Sequence, residues 1–145
     1  MNQSSNKEKI RQLIVDLQQD VKSYGELRAS LDQQRSLLIA HDNQGLQAFN
    51  PQQQQLFEVL AQRAAQRVQL LAQLGLKADE KGMQTLISRL PPDLSTRVNQ
   101  LWSQLHQLLL ACKIQNECNG RLLAGQMELV RSLLQQPAGY PASAF

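Results

Sequence analysis

Few side chains in this 145-residue chain have the types needed for covalent or metal chemistry, and their spacing argues against it. Cys112 and Cys118 stand six apart within one helical pattern. That spacing turns them to nearly opposite faces and sets them about 9 Å apart along the axis, from the 1.5 Å rise of a helix. They cannot bridge each other, and buried or incidental thiols in a reducing compartment are expected. His41 and His106 are far apart in sequence. Neither belongs to a Glu-x-x-His repeat of the kind that sets metal ligands inside a helical bundle, so no cofactor is expected and His106 reads as a partly buried helix residue. Nothing fixes a base or an oxyanion donor beside a serine or cysteine, which argues against an enzyme. Trp102 stands alone and reads as a core anchor on its helix, since one aromatic does not make a stacking channel for nucleic acid.

The remaining chemistry is recognition. It concentrates between Cys112 and Gln135, where an apolar helical rhythm is interrupted by Asn116, Asn119, Gly120 and Gly125. Each of these weakens a helix interior by about 0.5–1 kcal/mol relative to Ala, so some interaction must offset the cost. Gln115, Asn119 and Gln126 occupy seam positions. Leu122, Leu123, Met127, Val130 and Leu134 form an apolar bed beside them, with Met127 able to adapt to more than one partner. Two readings stay open. The Asn-Gly patch either meets a partner, with Gly120 and Gly125 allowing close approach, or packs on the first helix, with its polar groups fixing register. The apolar bed in turn fits either a partner segment or a second copy of the chain, as a homodimer through the C-terminal helix.

The elements that must position this stretch are all helices. The sequence predicts an all-α fold in a single domain: an elongated antiparallel bundle or coiled coil of three long helices plus a short connecting helix. The first helix, about 7–41, follows Ser5 or Asn6 as cap and carries Ile10, Leu17, Tyr24, Leu31 and Leu38 at strict sevens. Asn50-Pro51 reads as a cap followed by Pro at the first helical position, so the second helix is expected over 51–74, with Arg63 and Arg67 snorkelling at its margin and Gly75 as terminator. Asp79 is placed to cap a short helix over 79–90 that turns Met83, Leu86, Ile87 and Leu90 inward, although Gly82 weakens it. Pro91-Pro92 ends it. Asp93 or Ser95 then caps a last helix over 94–135, and a flexible tail is expected over 136–145. In that last helix Val98 to Cys112 is purely apolar at the seam. The first two helices are too short to cover its whole apolar face, so the far half should be left for something else.

Composition narrows the classes further. Apolar residues make up 42% but aromatics only 4%, the balance of helix seams rather than of a β core. Fifteen Lys and Arg are dispersed among twelve acids, and without a basic stripe there is no phosphate footprint, so no nucleic acid is expected. No apolar run approaches the roughly 20 residues needed to span a bilayer, which predicts no stable membrane insertion and a cytoplasmic protein.

Within the last helix, Asn116-x-x-Asn119-Gly120-x-Leu122-Leu123-x-Gly125-Gln126 resembles the flagellar export chaperones of the FlgN type, which serve the hook–filament junction proteins. Trp102-x-x-Leu105 ahead of that motif, the acidic turn at His41-Asp42, the Leu-rich second helix and a tail carrying Tyr140 extend the resemblance along nearly the whole chain. The resemblance implies a cytosolic chaperone that binds C-terminal helical segments of junction proteins, keeps them from assembling early and delivers them to the flagellar type III export apparatus. It implies cargo contacts at Asn116, Asn119, Gly120, Leu122, Leu123, Gln126, Met127, Val130 and Leu134. It also makes Tyr140 a contact for the export gate or its ATPase complex. A structural coiled-coil adaptor without an export role is the alternative that the periodicity alone would equally allow.

Overall fold

A computed structural model of the protein describes residues 3–134. Four helices follow in order, α1 (Gln3–Ile39), α2 (Asn43–Gln73), α3 (Glu80–Arg89) and α4 (Pro92–Leu134). No strand occurs among the described residues.

The strict sevens of α1 meet a second set of sevens on α4. Cys112 Sγ donates to the carbonyl of Tyr24, Asn119 Nδ2 to that of Leu31 and Gln126 Nε2 to that of Leu38, each pair being separated by 88 residues. A constant separation means that α1 and α4 run parallel and in register. The same offset sets Ile10 against Val98 and Leu17 against Leu105 in one apolar cluster. Helix α2 runs the other way along α1: Gln53 bonds Ser30, while Arg63, ten residues further on, bonds Ser23 and Asp20. Consecutive long helices therefore reverse, and α1 is the element that both α2 and α4 lie along.

The core is concentrated toward the end where α1 begins. Leu13 and Leu17 of α1, Leu71 of α2, Met83, Leu86 and Ile87 of α3, and Val98 and Leu105 of α4 form one buried cluster. Leu27, Leu31, Leu60 and Cys112 make a smaller one above it, and Tyr24 touches both. Asp20, 1% exposed, is neutralised between these clusters by Arg63 and Arg67. Both arginines are thus ion-paired to a buried carboxylate rather than snorkelling.

Several helix ends depart from the sequence expectation. Helix α1 already includes Ser5 and Asn6. Helix α2 begins at Asn43 rather than 51, because the Asp42 carboxylate accepts from the Gly45 N–H at 2.8 Å and starts the helix earlier. Pro51 therefore lies inside α2. The lost backbone bond is offset by the burial of Phe49, which lies in the extra turns, while Gln53 just beyond Pro51 is buried and bonds Ser30 of α1. Helix α4 starts at Pro92, whose fixed φ suits a first helical position. Ser95, one of the expected caps, instead donates its hydroxyl to the carbonyl of Ile87 and ties α3 to α4.

Two expectations hold closely. Gly75 has φ +76° just past α2, the conformation a helix terminator needs. Asp79 caps α3 by accepting from the Gly82 N–H at 2.9 Å. Gly82 there is a requirement rather than a flaw, since a Cβ would lie 1.7 Å from the Lys77 carbonyl oxygen.

Candidate functional site

Parallel register fixes where α4 runs out of partner. With an offset of 88, Ile39 at the end of α1 stands opposite Met127, so the last two turns of α4 continue past α1. Seam positions that would be buried lower down are exposed here: Leu129 is 49% and Leu133 47% accessible. Next to the seam, Asn116 and Leu123 share one heptad row, and Gly120, Met127 and Leu134 form the adjacent row. Leu123, Met127 and Leu134 are 45%, 58% and 81% exposed. A groove of about 350 Å³ runs through this region, walled by Leu123, Gln126, Met127, Leu129 and Leu133 on α4, with His41 and Asn43 from the α1–α2 turn opposite.

The sequence-predicted residues divide between two roles. Asn116 and Gly120 are exposed beside the apolar row, and a Cβ at Gly120 or Gly125 would meet nothing within 4 Å. The glycines therefore do not serve a close crossing of α1. Asn119 and Gln126, expected as cargo contacts, both bond to α1, and Gln126 also stands in the groove wall. Asn119 is 2% exposed, donates to the Leu31 carbonyl and to Gln34 Oε1, and accepts from Gln115, while Gln126 donates to the Leu38 carbonyl at 2.7 Å. A helix carbonyl has a second lone pair, so these bonds are made without opening α1. Leu122 is half-buried along the same seam. The Val130 side chain and all of Tyr140 lie outside the described residues.

The sequence did not single out His41, Asn43, Leu129 or Leu133 for the site. Leu129 and Leu133 carry the seam rhythm, and only the end of α1 turns them into surface. His41, with φ 54°, is held in the left-handed region that closes α1, and this turns the chain back across the groove.

Burial pushes the Cys112 thiol up from its ordinary value. His106 is exposed rather than partly buried, and it sits with Trp102 around one carboxylate: His106 Nε2 and Trp102 Nε1 reach Glu80 Oε2, at 3.1 and 2.9 Å. Hydrogen bonds from Gln84 and Trp102, with a smaller contribution from His106, hold the Glu80 carboxyl below its usual range. The cluster clips α3 onto α4. Among the described residues no group of three or more His, Cys, Asp or Glu is placed to hold a metal, and no helix is long and apolar enough to cross a membrane.

A family model described as FlgN protein matches residues 1–137. No curated protein and no solved structure matches.

Proposed function

The chain belongs to the FlgN family, the flagellar export chaperones, and from that premise we propose that its cargo is the C-terminal helical segment of a hook–filament junction protein, laid along the exposed end of α4. The observation that carries this reading is the run of Leu123, Met127 and Leu134 beside the groove where α4 outruns α1. A disordered amphipathic segment gains order by placing its apolar face there, and while it is bound it cannot assemble with its own partners. Gly120 lets the bound backbone come close, Asn116 offers polar pairing at the edge, and Val130 continues the row. Asn119, Gln126 and Leu122 act indirectly by fixing how α4 lies on α1.

In this reading the protein works in the cytoplasm and hands its cargo to the flagellar type III export apparatus, with Tyr140 as a contact for the export gate or its ATPase complex. The test is fluorescence anisotropy with labelled C-terminal peptides of junction proteins against the full chain. Micromolar or tighter binding is expected, weakened at least tenfold by Leu123→Asp and by Met127→Asp. If no peptide binds at micromolar concentration, or both variants bind like the parent, the cargo assignment is wrong. Sedimentation of the free chain covers the rival occupant, because a dimer broken by the same substitutions would assign the stripe to self-association.

A further inference from the structure

The opposite end of the bundle carries a second concave surface, of about 480 Å³, between the start of α1 and the α3–α4 connection. Its floor is apolar. Ile10, Ile14, Leu90 and Leu94 are all partly buried and packed against the main core cluster, so anything seated on them extends that core. Val15 forms part of the wall and is 39% exposed. Every ionisable group that lines the groove is a cation: Lys7 and Arg11 from α1 and Arg89 from the end of α3. Glu8 pairs with Arg11 at 3.6 Å, but both side chains are about three-quarters exposed, so the pairing leaves Arg11 free to exchange partners.

We infer that this groove is a docking site for about two turns of an amphipathic helix whose apolar side chains are flanked by carboxylates. Length sets the size of the occupant, since Lys7 to Val15 spans about 12 Å at the helical rise. Charge sets its sign, because an apolar floor between three cations favours a segment with acids on either side and repels a basic one. Shape favours a peptide over a lipid surface, since most of the apolar lining is partly buried and packed on the core, where side chains can enter but a flat bilayer does not reach. Residues 135–145 are excluded as the occupant by distance. Leu94 to Leu134 along α4 is about 60 Å, and residues 135–145 fully extended reach at most about 40 Å. This site is independent of the cargo surface at the other end.

The experiment uses the full chain and a fluorescent 14-residue helical peptide with Leu and Ile at i, i+3, i+4 and i+7 and Glu at the flanking positions. A counterpart carries Lys in place of Glu, and vesicles of phosphatidylcholine with phosphatidylglycerol form a third arm. The acidic peptide is expected to bind at least tenfold more tightly than the basic one. Val15→Asp and the double change Arg11→Glu with Arg89→Glu should each weaken it at least tenfold, while Leu123→Asp leaves it unchanged. All the substituted residues are exposed, and a thermal melt by circular dichroism checks that each variant is folded. Equal binding of the two peptides, no response to the groove variants, vesicle binding without peptide binding, or a dimer abolished by Val15→Asp would each overturn the assignment.

Discussion

The two ends of the α1–α4 seam share one register but are built from different materials. Where the helices begin, Ile10 and Leu17 face Val98 and Leu105, and α2 and α3 close over them. Toward the other end Tyr24, Leu31 and Leu38 each give a backbone carbonyl to Cys112, Asn119 or Gln126, and α4 then continues alone. The hydrocarbon half is suited to stability. Its polar counterpart gives up burial energy but fixes alignment within the heptad, because an amide shifted by one or two residues would lose its carbonyl. A surface that must wait exposed for a partner is better served by a seam of the second kind than by more leucine.

The largest expected effect sharpens that contrast directly. Leu17→Ala, at a fully buried position, should cost about 2–5 kcal/mol in urea unfolding, whereas the same truncation at Leu133 should cost less than about 0.5 kcal/mol. Comparable losses at the two sites would mean that the end of α4 is covered after all. Next in size, Asn119→Ala strips Gln115 and Gln34 of a partner inside the seam and should lower stability by about 1–3 kcal/mol. A neutral result would show that the amide ladder carries no alignment energy.

A gain is expected where the surface is open. Gly120→Ala and Gly125→Ala put a methyl into free space on a helix and should each stabilise the chain by about 0.5–1 kcal/mol. Destabilisation by either would point to a packing role. The smallest effect concerns the clip at the closed end. The folded-state pKa of Glu80 lies below its ordinary value of 4.5, so its contribution is present above that pH and is lost as pH falls below it. Thermal melts of Glu80→Gln and the parent chain should therefore differ near neutrality and converge in acid. A constant difference across that range would remove the carboxylate from the clip.

The local devices that sequence rules reach and miss can be told apart by range. Asp79 as a cap, Gly75 as a terminator and the inward face of α3 depend on neighbours within one turn, so pattern and propensity found them. Pro51 misled because its preference for a first helical position is real but weaker than the Asp42 cap together with the burial of Phe49. Arg63 and Arg67 looked like margin residues because their partner, Asp20, is more than forty positions away.

For the protein as a whole, the sequence alone determined the helical class, the heptads of the first helix and the fact that the last helix is too long for the others to cover. Those follow from periodicity and length, which one strand of residues carries by itself. It left open whether Asn119 and Gln126 look inward or outward. Only the parallel register of α1 and α4 decided that, by bringing carbonyls 88 residues away within reach of both amides and ending α1 before the apolar rows of α4 were spent.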